Sequence, residues 1–197
     1  MREEDKWTRE LLCPSLRAEL TNEIVVECGQ PLLYSVNINS YRKVDGKYVA
    51  NLSSQNSRGK GSYETDLLLS EKVGENEFVP LVVCESKLGM MTTHDMITYN
   101  QKAGEHKKLH KGLRYGVVIA GCKKGGITLQ KILNHGCENF DFIFCFKDLV
   151  PTEEEWQKFS DLIKHQIEES KYLHNILSGE KKSKDSFVSF ERDTRTK

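Results

Sequence analysis

Two carboxylates and one amine, at short and fixed spacing, are the residues of this chain best suited to chemistry. Asp66 stands in the segment YETDLLLS. Eighteen residues separate it from Glu85 in VPLVVCESK, where Lys87 follows two positions later. Side chains alternate faces along a strand, so Glu85 and Lys87 point one way and Ser86 the other. Magnesium takes hard oxygen ligands and keeps several waters, so one or two carboxylates suffice to hold it. A metal held this way bridges to phosphate and lowers the pKa of a bound water, while a nearby ammonium positions that water and offsets negative charge. Phosphodiester hydrolysis is the reaction that such a grouping suits. The plain structural alternative is a salt-bridged cluster at a sheet end, but unpaired buried charges cost several kcal/mol, and a strand rarely carries such a triad without a use for it.

Positioning these groups requires a hairpin. Tyr63–Ser70 and Phe78–Ser86 each read as a strand with an apolar heart, and Gly74, Glu75 and Asn76 form the turn between them. Pairing them antiparallel brings residue 66 near residue 85. Upstream, Leu12, Leu16, Leu20 and Ile24 recur at fourfold spacing and predict a helix over 6–28, broken or restarted at Pro14, with Glu19, Glu23 and Glu27 on another stripe. Leu32–Ile38 reads as a strand, with Tyr48–Leu52 as its partner across an Asp45-Gly46 turn. Downstream, Thr92 to Asp95 supply N-cap residues for a helix reaching about His110. Apolar strands follow at Tyr115–Ala120 and Phe140–Phe146, and Pro151-Thr152-Glu153 opens a last helix. The expected class is α/β, a central mixed β-sheet flanked by helices, in one domain over residues 1–180 with a polar tail over 181–197.

The pattern of Asp66 followed by Glu85-Ser86-Lys87, inside a helix, hairpin, helix and strand, resembles the PD-(D/E)XK motif of restriction-endonuclease-like nucleases over about residues 15 to 147. Thr65 stands where that motif often has proline. The resemblance implies an αβββαβ core and magnesium-dependent cleavage of DNA, with Asp66 and Glu85 as metal ligands and Lys87 helping to activate the attacking water. It also implies a further acidic ligand from the leading helix, for which Glu27, then Glu23, then Glu19 are the choices. On the helix after the motif, Gln101 and Lys102 are expected toward the metal site or the DNA backbone. In the polar loop leading into the motif strand, Arg58 and Lys60 are expected near DNA. A restriction-type endonuclease would act on double-stranded DNA, usually as a homodimer. The alternative is a module that keeps the fold and binds nucleic acid or protein without turnover; a third reading is a magnesium phosphohydrolase acting on a small nucleotide.

Composition sets the frame for these readings. The chain has 197 residues, 38% hydrophobic and 29% charged, which suits a folded domain of ordinary size. Lys plus Arg and Asp plus Glu balance at 29 each, so net charge does not advertise a nucleic-acid partner. The distribution is uneven, however. Residues 102–124 hold seven basic residues and one acid, and residues 42–60 hold five and one. None of the six cysteines form a Cys-x-x-Cys pair, and buried reduced thiols are expected. His106 and His110 are spaced i, i+4 but lack the glutamate of a zincin motif, so they read as an exposed polar face. No apolar run spans a bilayer and no apolar leader opens the chain, so a cytoplasmic or nuclear protein is expected.

Overall fold

The apolar runs of the sequence become neighbouring strands of one sheet. A computed structural model describes residues 2–36, 38–52, 61–122, 132, 134 and 138–179. Its helices are α1 (Glu3–Trp7), α2 (Cys13–Glu19), α3 (Thr93–Leu109) and α4 (Glu153–Leu177). Its strands are β1 (Ile24–Leu33), β2 (Ile38–Val44), β3 (Lys47–Leu52), β4 (Ser62–Lys72), β5 (Phe78–Leu88), β6 (Arg114–Ala120) and β7 (Phe142–Cys145). Five strands form a sheet in the order β1-β4-β5-β6-β7. The first three are antiparallel, and β6 and β7 then run parallel to β5. A parallel neighbour requires a crossover, which α3 supplies between β5 and β6. The fold is therefore α/β with a mixed central sheet and helices on both faces, as the order of elements predicts.

Strand alternation divides the core. One face buries Leu67, Leu69, Val82 and Cys84 with Leu12 and Leu16 of the N-terminal helices and Phe159 and Ile163 of α4. The other buries Leu68, Val83, Tyr115 and Val117 against Met96 and Ala103 of α3. The two longer helices start with capping boxes. In α3 Thr92 and Asp95 bond reciprocally, and in α4 Thr152 and Glu155 do the same.

The N-terminal segment departs from the helix predicted over 6–28. Helical backbone ends at Glu19, Leu20 is extended at ψ 155°, and Ile24–Leu33 is a strand. The fourfold spacing holds as far as Leu16, but the β-branched run Ile24-Val25-Val26 packs better on a pleated surface than on a helix. A π-helical turn, Thr8–Leu12, joins α1 to α2, and the Cys13 N–H donates to the Thr8 carbonyl. Pro14, one residue on, has no N–H for Glu10 and would crowd that carbonyl in a regular helix, which accounts for the widened turn.

The second departure concerns the ribbon before the motif. Leu32 and Leu33 end β1, so the partner of β3 is Ile38–Val44, not Leu32–Ile38. The Asp45-Gly46 turn is as expected. Both residues have positive φ, 48° and 79°, as a tight two-residue hairpin turn requires. No described helix is long and apolar enough to cross a membrane.

Candidate functional site

The site lies where β4 and β5 run out of mutual pairing. Leu67 pairs with Cys84, so Asp66 and Glu85 are next in register at this end of the ladder, and Glu85 is on the α3 face of the sheet. The Asp66 carboxylate caps this end of the ladder. Its Oδ2 accepts from the Ser86 backbone N–H at 2.8 Å and from Ser86 Oγ at 3.2 Å. Ser86 points to the opposite face, where its hydroxyl meets that of Thr8 at 2.6 Å. The π-helical turn is thereby tied to the motif strand.

Glu85 is 1% exposed. Burial, then the charge of Asp66, push its pKa up to about 7; Lys102 and a hydrogen bond from Tyr115 oppose this rise. Tyr115 donates its phenolic O–H to Glu85 Oε1 at 2.5 Å. Burial and Glu85 drive the pKa of that phenol well up, which keeps it a donor. Lys102 Nζ stands 3.6 Å from Glu85 Oε1, over the rings of Tyr63 and Tyr99 at 5.9 and 5.6 Å from their centroids. The ammonium beside Glu85 thus comes from α3, and Tyr99 lines the same approach.

Lys87 shares the Glu85 face as predicted, but its ion pairs are with other carboxylates. Its Nζ lies 3.2 Å from Glu4 Oε1 of α1 and 3.4 Å from Asp95 Oδ1 of α3. Partial burial disfavours its charge, yet the bond to Glu4 and the charges of Glu4 and Asp95 outweigh this and raise its pKa. Asp95 is lowered despite partial burial, because Thr92 donates to it and Lys87 stands nearby. Lys87 therefore bridges the two helices that flank the sheet end.

The glutamates expected on a leading helix are distributed differently. Glu27 is on β1 opposite Leu68 and lines a groove with Arg9 and Arg17, because the helix ends eight residues earlier. Glu23 is exposed between α2 and β1. Glu19 binds Trp156 and Ser160 of α4, with Lys164 at 3.3 Å, and the Ser160 bond leads in lowering its pKa. The carboxylates that α1 brings to the motif are instead Glu4, paired with Lys87, and Asp5, which lines a cleft with Asp66. Among the described residues, no group of three or more His, Cys, Asp or Glu side chains is placed to hold a metal. The donor set is the pair Asp66 and Glu85, which fits an ion content with one or two carboxylates and several waters.

Of the expected nucleic-acid contacts, Lys102 belongs to the site, and Gln101 is exposed and lines a groove with Lys107, Lys108 and Lys111. Arg58 and Lys60 lie outside the described residues. A smaller cleft beside Asp66 adds Asp5, Thr8, Arg9 and Glu64. Gly29 makes this possible, since its φ is +70° and a Cβ there would stand 2.5 Å from the Arg9 guanidinium. His106 is not on an exposed face. It is fully buried, and its Nε2 lies 3.1 Å from the Leu32 carbonyl, while His110 Nε2 lies 2.8 Å from that of Leu33. Both form a stripe with Met96, Tyr99 and Ala103 that turns inward. Periodicity along 96–110 carried that signal; Tyr115 and Glu4 carried none, because only folding brings them to Glu85 and Lys87. No protein-family model matches this chain, and no curated protein is significantly similar to it.

Proposed function

We propose that this chain is a magnesium-dependent endonuclease of the restriction-endonuclease-like class, hydrolysing phosphodiester bonds in DNA. The observation that carries the reading is the pair of adjacent carboxylates, Asp66 and buried Glu85, where burial and then mutual repulsion raise Glu85 to about 7. A divalent cation would relieve that repulsion as well as a proton does. The order of helix, three antiparallel strands, helix and parallel strand supports the resemblance already drawn from the motif.

Magnesium, when bound, would supply charge stabilisation at the phosphate and an acidified water. Asp66 and Glu85 would hold it, and Ser86 fixes the Asp66 carboxylate through two donated hydrogen bonds. Tyr115 fixes Glu85 and keeps one of its oxygens engaged. Lys102 offers its ammonium where the phosphate charge would develop, and Arg9 faces the cleft beside Asp66. Lys87 reaches the same rim and would meet the attacking water once a ligand competes with Glu4 or Asp95.

The test is nicking of supercoiled plasmid DNA with magnesium, alongside thermal unfolding with and without the ion. Cleavage is expected to fall by about two orders of magnitude or more in Asp66→Ala, Lys87→Ala and Lys102→Ala. Magnesium is expected to raise the melting temperature of the parent and not of Asp66→Ala. Absence of metal-dependent cleavage defeats the reading, and absence of metal-dependent stabilisation as well removes the metal site with it. The ion pairs of Lys87 with Glu4 and Asp95 favour the second reading, a nuclease fold that binds without turnover, and DNA binding without cleavage would select it.

A further inference from the structure

The ribbon of β2 and β3 is a sheet of its own. Its two strands pair only with each other and are not part of the central sheet. Every residue of β2 is exposed, and the ribbon presents Ile38, Tyr41, Val44, Tyr48 and Val49 to solvent, with Tyr48 75% exposed. A two-stranded ribbon is at best marginally stable by itself in water, so apolar and aromatic side chains left open on it point to a binding role.

The register defines what each face offers. Tyr41, Lys43, Tyr48 and Ala50 share one face, with the Lys43 ammonium 5.8 Å over the Tyr48 ring. Arg42, Val44, Lys47 and Val49 share the other. Cations therefore stand on both faces, and the only acid in this stretch, Asp45, is at the tip. The cations of α3 and β6 are already matched. Lys102 meets Glu85, Lys108 meets Glu105, and Lys107 and Arg114 both meet Asp141.

We infer that the β2–β3 ribbon enters a groove of duplex DNA and carries much of the affinity for it. The inference rests on the nuclease reading for the class of partner. A flat partner would cover one face of a ribbon and leave the cations of the other in water. A groove walled by phosphates on both sides matches cations on both faces, and the major groove admits a two-stranded ribbon. The backbones lie about 4.8 Å apart and seven residues span about 20 Å, which suits that width and several base pairs of length. Arg42, Lys43 and Lys47 would contact phosphates; Tyr41 and Tyr48 would meet sugars and base edges.

The experiment measures binding of a fluorescently labelled DNA duplex by anisotropy across a salt series, in EDTA so that no metal-dependent cleavage intervenes. It compares the parent with Arg42→Ala/Lys43→Ala/Lys47→Ala and with Tyr41→Ser/Tyr48→Ser, each checked for an unchanged melting temperature. The triple variant is expected to bind at least about tenfold more weakly and to lose about 2–3 units from the slope of log affinity against log salt. The tyrosine variant is expected to weaken binding with the slope unchanged. Affinities within about twofold of the parent overturn the inference, as does a parent that binds no duplex. A parent that is a dimer in solution and is made monomeric by the ribbon variants overturns it in favour of a second copy as the occupant. Plasmid cleavage separates the two ideas. Ribbon-dependent binding without cleavage under any divalent metal sinks the nuclease reading alone, and cleavage with ribbon-independent binding sinks this inference alone.

Discussion

Glu85 concentrates the electrostatics of the site in one side chain. Folded, it holds its proton up to about pH 7, against an ordinary carboxylate value of 4.5, chiefly because it is buried and then because Asp66 is beside it. At this group the native state therefore holds a proton that the unfolded chain releases across that window, and its contribution to stability falls as pH rises through it, by up to about 1.4 kcal/mol per pH unit. Glu85→Gln removes this loss. The variant is expected to melt higher than the parent at about pH 8, with the advantage shrinking toward about pH 4.5, as thermal unfolding at both values would show. Tyr115→Phe acts in the other direction. It takes away the donor that holds the Glu85 carboxylate charged, so the acidic limb of the pH profile for plasmid cleavage is expected to move up, by as much as about one unit. An unmoved limb would mean that Glu85 does not set it.

At the scale of elements, the site depends on how closely strands and helices approach. Gly116 on β6 pairs with Phe142 on β7, and a Cβ at 116 would run into the Phe142 ring. Gly116→Ala is expected to cost on the order of 1–3 kcal/mol in urea unfolding, because a buried ring must move in a close-packed core. The motif strand β5 lies on the other side of β6, so the same variant is expected to disturb Tyr115, the next residue along. The helices contribute in a different way. The capping box at Thr92 fixes the start of α3, and Asp95 of that box also pairs with Lys87. One residue thus serves both the helix end and the site.

For the molecule as a whole, two buried groups oppose each other in pH. Burial pushes His106 down to about 4, so below about 6.5 the unfolded chain takes up a proton that the native state resists. Stability from this group is complete above 6.5 and is lost as pH falls toward 4. His110 is lowered for the same reason, with His174 adding to it, against the bond to the Leu33 carbonyl. Glu85 works in the opposite sense over an overlapping range. The parent is therefore expected to show a shallow stability profile between about pH 4.5 and 6.5, and Glu85→Gln is expected to steepen the acid side. Chemical denaturation at several pH values measures both slopes, and parallel curves for the two proteins would contradict the opposition.

Much of this protein was readable before folding was considered. The alternation in 81–87 put Glu85 and Lys87 on one face. The apolar runs identified β4, β5 and β6, and the Asp45-Gly46 and Thr92-Thr93-His94-Asp95 signals marked a turn and a helix start that the structure has. These are local properties, set by side-chain period and backbone preference within a few residues. The extent of the first helix was misread because fourfold leucine spacing continued by chance into a β-branched segment that pairs with β4. The pairings themselves were beyond local spacing, although the resemblance led to Lys102 being expected toward the metal site. Lys102 and Tyr115 meet Glu85, and Glu4 meets Lys87, across separations of 17, 30 and 83 residues. The order of strands in the sheet and the crossover of α3 bring them together. Local sequence therefore determined which residue types stand on which face, and tertiary packing decided which charges they meet, because long-range contacts are a property of topology and not of spacing.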